Sequence, residues 1–99
     1  MVVERERLHQ LYVDTLVSLA GDYLEIRQLE DALETCLKAA HLDPCLEAAH
    51  RVAMRVHASR GNQAAVVRQY ELCKAALKEE LNTTPSQQTE QLYQILTRM

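Results

Sequence analysis

The stretch DALETCLKAAHLDPCLEAAH, residues 31–50, decides the fold. Before Asp43, apolar and small side chains recur every three or four residues, which is the period of a helix with one apolar face. Pro44 interrupts this pattern because it lacks a backbone donor. Proline suits the first position of a new helix, however, and Asp43 can cap that helix. We therefore predict two helices that meet at a corner, the second of which begins at Pro44.

The helical period continues upstream of this corner. Apolar residues from Leu8 to Ile26 predict a first helix with an apolar face. We place a turn near Arg27–Gln28, because a single helix from about residue 4 to 40 would be unusually long for a small domain. No glycine or proline marks that turn, so periodicity alone leaves the single long helix open.

Two further breaks divide the chain downstream of the corner. Gly61 can supply the left-handed residue that ends the third helix, and a fourth apolar stripe runs from Val66 to Leu81. Thr84-Pro85-Ser86-Gln87 has the form of a capping box, with Pro85 at the first position of the last helix. The apolar positions of that last helix are Leu92, Ile95, Leu96 and Met99. The sequence therefore predicts an all-α fold of about five helices.

Composition and charge restrict the function of this chain. Its 99 residues are enough for a single domain, which we assign to 1–99. The formal net charge of −3 provides no basic field for phosphates, so we expect no direct nucleic-acid binding by this domain. No stretch is long and apolar enough to span a membrane. Three cysteines without a secretory feature are typical of free thiols, so we expect a cytoplasmic protein.

The chain aligns with itself at an offset of 34 residues, which is the period of tetratricopeptide repeats. The aligned pairs are Leu19 with Ala53, Ala20 with Met54, Tyr23 with His57, Arg27 with Gly61, Ala32 with Val66, Cys36 with Tyr70 and Ala39 with Cys73. Small residues recur once per unit, which lets the backbones of paired helices approach. We therefore predict a tetratricopeptide-like, right-handed stack of antiparallel helical hairpins.

Cysteine and histidine alternate across the corner, at Cys36, His41, Cys45 and His50. A zinc site is one interpretation, since these side chains are zinc ligands. Such sites place two cysteines a few residues apart and two histidines on one helix face, whereas the steps here are five, four and five. The alternative is a helix corner in which Cys36 and His50 face the core. We favour the helix corner and expect no metal or other cofactor.

The first helix of each hairpin lines the concave side of a repeat stack, which is its usual binding surface. The candidate partner-contact residues there are Asp14, Val17, Glu25, Arg51 and Arg55. Arg51 and Arg55 are four residues apart, so they lie on one helix face and could together bind a carboxylate of a partner. The alternative is that Asp14, Glu25 or water satisfies both arginines.

A set of ordered residues gives the chain a family resemblance. These residues are Tyr23, Ala32-Leu33, Leu42-Asp43-Pro44, Glu47, His50-Arg51, Met54, Gly61, Arg68-Gln69-Tyr70-Glu71, Cys73, Leu77, Glu80-Leu81, Pro85-Ser86 and Leu92-Tyr93. In this order they resemble the bacterial transcriptional activator domain, the tetratricopeptide-like domain of antibiotic-regulatory-type and maltose-activator-related transcriptional regulators. The match covers about residues 5–98.

This resemblance implies a non-catalytic regulatory domain, excised from a longer regulator, which makes protein contacts within its own chain, with a second copy or with the transcription machinery. A stand-alone tetratricopeptide adaptor that binds a partner peptide is the alternative function. A small metal or thiol enzyme is a third hypothesis, for which the sequence offers no catalytic motif.

Overall fold

The computed structural model describes residues 2–98 and contains five helices, as the sequence predicts. They are α1 (Val2–Glu25), α2 (Leu29–Leu42), α3 (Glu47–Ser59), α4 (Gln63–Leu81) and α5 (Gln87–Thr97). There is no strand within residues 2–98. The last predicted apolar position, Met99, lies outside the described residues. The all-α prediction is therefore confirmed, and the turn predicted near Arg27–Gln28 does separate α1 from α2.

The helices form a stack of antiparallel hairpins. Each helix packs against the next one along the chain, and α3 also contacts both α1 and α5. The helices α1, α3 and α5 therefore lie side by side in one layer, and α2 and α4 pack behind them. We call the outer surface of this layer the α1–α3–α5 face. The arrangement is the tetratricopeptide-like stack that the 34-residue offset predicts.

Small side chains fill the contacts between α1, α2 and α3. Five alanines there are completely buried: Ala20, Ala32, Ala39, Ala49 and Ala53. Cys36 and Val56 are equally buried and form one cluster with Ala20, Ala32 and Ala53, whereas Ala39 and Ala49 belong to a neighbouring cluster. Because an alanine occupies little space, the backbones of adjacent helices can approach closely. This confirms the packing role that the sequence assigns to small residues.

A second core joins α3 and α4 to α5. Met54, Val66 and Tyr70 are buried there, and Leu92 and Leu96 of α5 pack against them. The rings of Tyr70 and Tyr93 stack with their centroids 3.8 Å apart. These contacts attach α5 to the second hairpin.

The predicted start of α3 at Pro44 is wrong by three residues. Pro44 and Cys45 lie in a turn, and α3 begins at Glu47 with Leu46 as its N-cap. The Asp43 carboxylate accepts a hydrogen bond from the Cys45 backbone N–H (3.3 Å), so it closes the turn instead of capping the helix. The Asp-Pro pair therefore marks the corner correctly but not the first residue of α3.

The predicted start of α5 is also displaced. Ser86, not Thr84, is the N-cap, and its hydroxyl accepts a hydrogen bond from the Thr89 backbone N–H (3.4 Å). Pro85 consequently precedes the cap instead of occupying the first helical position. The Glu47 carboxylate, 39 residues earlier, accepts hydrogen bonds from both the backbone N–H and the hydroxyl of Ser86. This tertiary contact favours Ser86 as the cap.

The apolar residues of α1 divide between two sides of the helix. Val13, Leu16 and Ala20 are buried against α2 and α3. The large apolar residues of α1 that remain exposed are Leu8, Leu11, Tyr12, Leu19 and Ile26, the last just beyond the helix end. Within the described part of the chain, no helix is both long and apolar enough to span a membrane.

Candidate partner-binding face

The five predicted contact residues differ in how freely a partner could reach them. Asp14, Glu25 and Arg55 are exposed, whereas Val17 and Arg51 are half-buried. Asp14 accepts a hydrogen bond from the Gln10 side chain (3.0 Å) one turn earlier. Within residues 2–98, no salt bridge joins these acidic residues to the two arginines. The internal ion pair considered as an alternative is therefore not formed.

Arg51 forms a hydrogen bond with another residue of the domain, so its side chain is not directed only to solvent. Its guanidinium donates a hydrogen bond to the Thr89 hydroxyl (2.9 Å), and that hydroxyl in turn donates to the Glu47 carboxylate (2.6 Å). The same carboxylate oxygen accepts from Ser86. Thr89 is completely buried, so this network connects the beginning of α3 to the beginning of α5.

The network controls the charge of Glu47. Burial by itself would raise the pKa of this carboxyl group, but the hydrogen bonds from Thr89 and Ser86 and the nearby Arg51 charge lower it. The balance is a lowered pKa, so the ionised form is favoured. Glu47 and Arg51 thus act mainly to hold α5 in place.

Arg55 lines a pocket at the C-terminal ends of α1, α3 and α5. The pocket has a volume of about 350 Å³, and its lining residues are Leu24, Arg27, Arg55, Ala58, Ser59 and Leu96. The Arg27 guanidinium lies 3.5 Å from the Ser59 hydroxyl oxygen. None of the described residues that line the pocket carries a carboxylate, and among them two positive charges lie beside apolar side chains. We call this site the Arg27–Arg55 pocket.

Sequence reasoning did not include Arg27 among the candidate contact residues, although it lines the same pocket as Arg55. The signal was present in the 34-residue offset, which aligns Arg27 with Gly61 and so places it just past the end of α1. Arg27 has a φ of 64°, a left-handed conformation that residues other than glycine seldom adopt. Its position in the turn brings its side chain to the same pocket as Arg55.

The alternating cysteines and histidines of the corner do not converge. Within the described residues, no three His, Cys, Asp or Glu side chains are close enough together to hold a metal ion. Cys36 is completely buried, with its thiol directed to the Leu33 carbonyl oxygen (3.4 Å). His41 is exposed, and the Cys45 thiol lies 3.4 Å from a carboxylate oxygen of Glu80 on α4. This arrangement is that of a helix corner.

His50 forms a buried polar contact between α3 and α4. Its Nε2 lies 2.8 Å from the Pro44 carbonyl oxygen, which can only accept, so Nε2 carries the proton in this bond. In the neutral ring Nδ1 then accepts from the Gln69 side-chain amide at 2.9 Å. Both side chains are about 95% buried, His50 being 4% and Gln69 5% exposed. The pair fixes the turn before α3 to α4.

The two core cysteines are poorly suited to thiolate chemistry. Burial raises the pKa of the Cys36 thiol to about 12 and that of Cys73 to about 11. A thiolate nucleophile needs the opposite shift. Partial burial is the main cause that raises the pKa of the Cys45 thiol, and the neighbouring Glu80 carboxylate raises it further. These shifts agree with cysteines that serve as small apolar side chains.

The fold and this face define a tetratricopeptide-like helical-repeat domain. A family model, described as the bacterial transcriptional activator domain, matches residues 1–96. The chain therefore belongs to that family, whose members are regulatory domains of transcriptional regulators. Comparisons with curated proteins and with solved structures found no match.

Proposed function

We propose that this domain is a non-catalytic protein-interaction module of a bacterial transcriptional regulator and that it binds its partner across the α1–α3–α5 face. The partner is a protein segment: another domain of the same regulator, or a component of the transcription machinery. We expect the domain to act in the cytoplasm and to make no direct contact with nucleic acid. The observation that carries the proposal is the Arg27–Arg55 pocket.

The chemistry of this pocket favours an acidic segment with an apolar anchor. Leu24, Ala58 and Leu96 offer apolar surface, while the two guanidinium groups offer planar donors for carboxylates. The C-terminal ends of three helices meet here, and each contributes roughly half a negative charge that fades within one turn. Two full positive charges outweigh these partial charges. An aspartate or glutamate beside a leucine would therefore fit best.

The other predicted contact residues extend this surface along α1 and α3. Val17 is partly buried against the core clusters that α1 shares with α2 and α3, and Asp14 and Glu25 are exposed acidic positions along α1. We propose that they select partner segments with basic residues farther from the pocket. Arg51 contributes through the Thr89 network that positions α5, which supplies Leu96 to the pocket wall.

Calorimetry with synthetic peptides tests the proposal. We expect peptides that combine leucine with two acidic residues to bind with micromolar affinity, and neutral peptides of the same length not to bind. The double variant Arg27→Glu/Arg55→Glu should abolish binding, because it turns the charge of the pocket negative. Arg68→Glu on α4 introduces the same kind of charge change outside the pocket and is the matched control. Binding that survives the double variant would refute the proposal.

The same peptides distinguish the alternative function, a stand-alone adaptor that captures a peptide terminus. An adaptor of that kind requires the terminal carboxylate, so amidation of the peptide would abolish binding. A docking face for an internal segment should bind amidated and free peptides equally. We expect the second result, because the proposed partner is an internal protein segment.

A further inference from the structure

Four of the five large apolar residues that α1 and the turn after it leave exposed form a stripe along one side of the helix, and Leu11 lies outside it. Leu8, Tyr12, Leu19 and Ile26 are separated by four, seven and seven residues, so they follow one line along the helix. Each is between 41% and 64% exposed. Val17 is nine residues from Leu8, or two and a half turns, and therefore lies on the opposite side.

The stripe has the spacing of a coiled-coil seam. The positions from 5 to 22 that fall on it are separated alternately by three and four residues: Arg5, Leu8, Tyr12, Thr15, Leu19 and Asp22. All six are exposed, and they extend over roughly 25 Å of helix. Among the described helices α1 contacts α2 and α3, and Lys38 of α2 lies over the Tyr12 ring with its Nζ 5.9 Å from the centroid. The stripe therefore runs beside α2, and the exposed part of its surface is open to a further helix.

The residues of the stripe complement one another in an antiparallel arrangement. If two copies of α1 pack antiparallel about a two-fold axis near residues 13 and 14, Leu8 lies opposite Leu19 of the other copy. Tyr12 then lies opposite Thr15, a large side chain against a small one, and Arg5 lies opposite Asp22. The Tyr12–Thr15 pairs thus lie nearest the two-fold axis, the Leu8–Leu19 pairs lie on either side of them, and opposite charges meet at both ends.

Other arrangements of two α1 helices lose this match. A parallel pair would place Arg5 against Arg5 and Asp22 against Asp22. Sliding the antiparallel pair by one heptad in one direction places Asp22 opposite Tyr12. Sliding it in the other direction places Arg5 opposite Thr15. Only the register described above pairs both charges and buries both leucines.

We propose that this α1 stripe is the face through which two copies of the chain associate, with their α1 helices antiparallel and Arg5 paired with Asp22 of the other copy. The inference is independent of the partner-binding proposal, because the two surfaces lie on opposite sides of α1. In such a dimer both α1–α3–α5 faces remain open, so each copy could bind its own partner.

Sedimentation equilibrium of the purified domain tests this inference. We expect the wild-type protein to dimerise and Leu19→Glu to be a monomer, since a charge buried against Leu8 of the other copy is unfavourable. Ile95→Glu alters a residue of similar exposure on α5 and should leave the dimer intact. Circular dichroism checks that both variants keep their helical content. A monomeric wild-type protein at submillimolar concentration would overturn the proposal.

A charge exchange tests the register. Arg5→Asp and Asp22→Arg should each raise the dissociation constant about tenfold, because two-fold symmetry repeats the unfavourable pair. The double variant Arg5→Asp/Asp22→Arg restores opposite charges and should recover the wild-type dissociation constant. If the double variant lost as much dimerisation free energy as the two single variants together, the antiparallel register would be ruled out.

Discussion

Arg27 and Gly61 lie 34 residues apart and have the same left-handed backbone conformation, with φ values of 64° and 71°. The same pair of backbone hydrogen bonds surrounds each of them. In the first turn the Gln28 N–H donates a hydrogen bond to the Tyr23 carbonyl oxygen (2.8 Å). In the second turn the Asn62 N–H donates the equivalent bond to the His57 carbonyl oxygen (2.9 Å). Arg27 and Gly61 N–H donate in the same way to the carbonyls of Leu24 (3.0 Å) and Ala58 (2.9 Å). Both are Schellman ends of the first helix in a hairpin, so the repeat is preserved in the backbone where the residue types differ.

Gly61→Ala should destabilise the domain through the backbone alone. A Cβ at this position would meet no atom within 4 Å, so the penalty arises from the left-handed conformation, at about 1 kcal/mol of unfolding free energy. Urea denaturation measures it. Gly21→Ala is the control: this glycine is also unobstructed but lies inside α1, where alanine should raise the stability by about 0.5–1 kcal/mol. If both substitutions changed the unfolding free energy in the same direction, the backbone conformation of Gly61 would not be the cause.

Arg27→Gly should have the opposite effect to Gly61→Ala. Glycine adopts the left-handed conformation without the steric penalty of a side chain, so we expect the unfolding free energy to rise by about 0.5–1 kcal/mol. The same change removes one positive charge from the Arg27–Arg55 pocket and should weaken binding of acidic peptides. If the variant is more stable but binds acidic peptides less well, Arg27 contributes to binding and lowers the stability of the fold. A loss of stability would instead mean that the contact of Arg27 with Ser59 matters more than the backbone.

The number and order of the helices follow from periodicity, but their first residues do not. Asp43, Thr84 and Ser86 are all capable of capping a helix, and the local sequence does not distinguish Thr84 from Ser86. The choice of Ser86 depends on Glu47, a residue of another helix. Periodicity likewise predicts one apolar face on α1 from Leu8 to Ile26 and cannot tell which sector of the helix packs against the core. Packing against α2 and α3 selects the sector that contains Val13 and Ala20.

The candidate contact residues stay predictions, but the structure shows which of them a partner could reach. Arg51 and Arg55 share a helix face, as their spacing predicts, yet only Arg55 is exposed. Arg51 reaches Thr89 of α5, a contact across 38 residues that no local pattern indicates. The 34-residue offset aligns Arg27 with Gly61, but an arginine does not by itself indicate a left-handed backbone, and the contribution of its side chain to the pocket depends on tertiary packing.

The contact between His50 and Gln69 should show energetic coupling. His50→Leu leaves the Pro44 carbonyl and the Gln69 amide without partners in a buried place, at about 1–3 kcal/mol of unfolding free energy. Gln69→Leu should be less harmful, and the double variant should be less destabilised than the sum of both, by about 0.5 kcal/mol or more. His41→Leu, at an exposed position, is the control. Strict additivity would mean that the two side chains do not act as a pair.

Glu47→Gln should remove stability at neutral pH and change its acid dependence. The pKa of Glu47 is lowered in the folded state, so its contribution is present above the unfolded value near 4.5 and is lost as the pH falls. We expect the variant to be about 1 kcal/mol less stable at neutral pH, and the difference from wild type to vanish in acid. Urea denaturation at several pH values measures it, with the exposed Glu34→Gln on α2 as the control. A difference independent of pH would exclude a role for the charge.

The buried thiols predict the behaviour of the domain in alkaline solution. The folded-state pKa of Cys36 is about 12, compared with 9.0 for the unfolded chain. The neutral thiol is therefore favoured by folding, and its contribution is fully present below about pH 9 and is lost as the pH rises toward 12. We expect the unfolding free energy to decline over this range and to decline less steeply in Cys36→Ala.

The accessibility of the thiols can be checked separately by chemical labelling. At mildly alkaline pH, 5,5′-dithiobis(2-nitrobenzoate) should modify the partly exposed Cys45 first, and Cys36 and Cys73 only after unfolding in guanidinium. Rapid modification of Cys36 in the native protein would show that the core opens more readily than its complete burial implies.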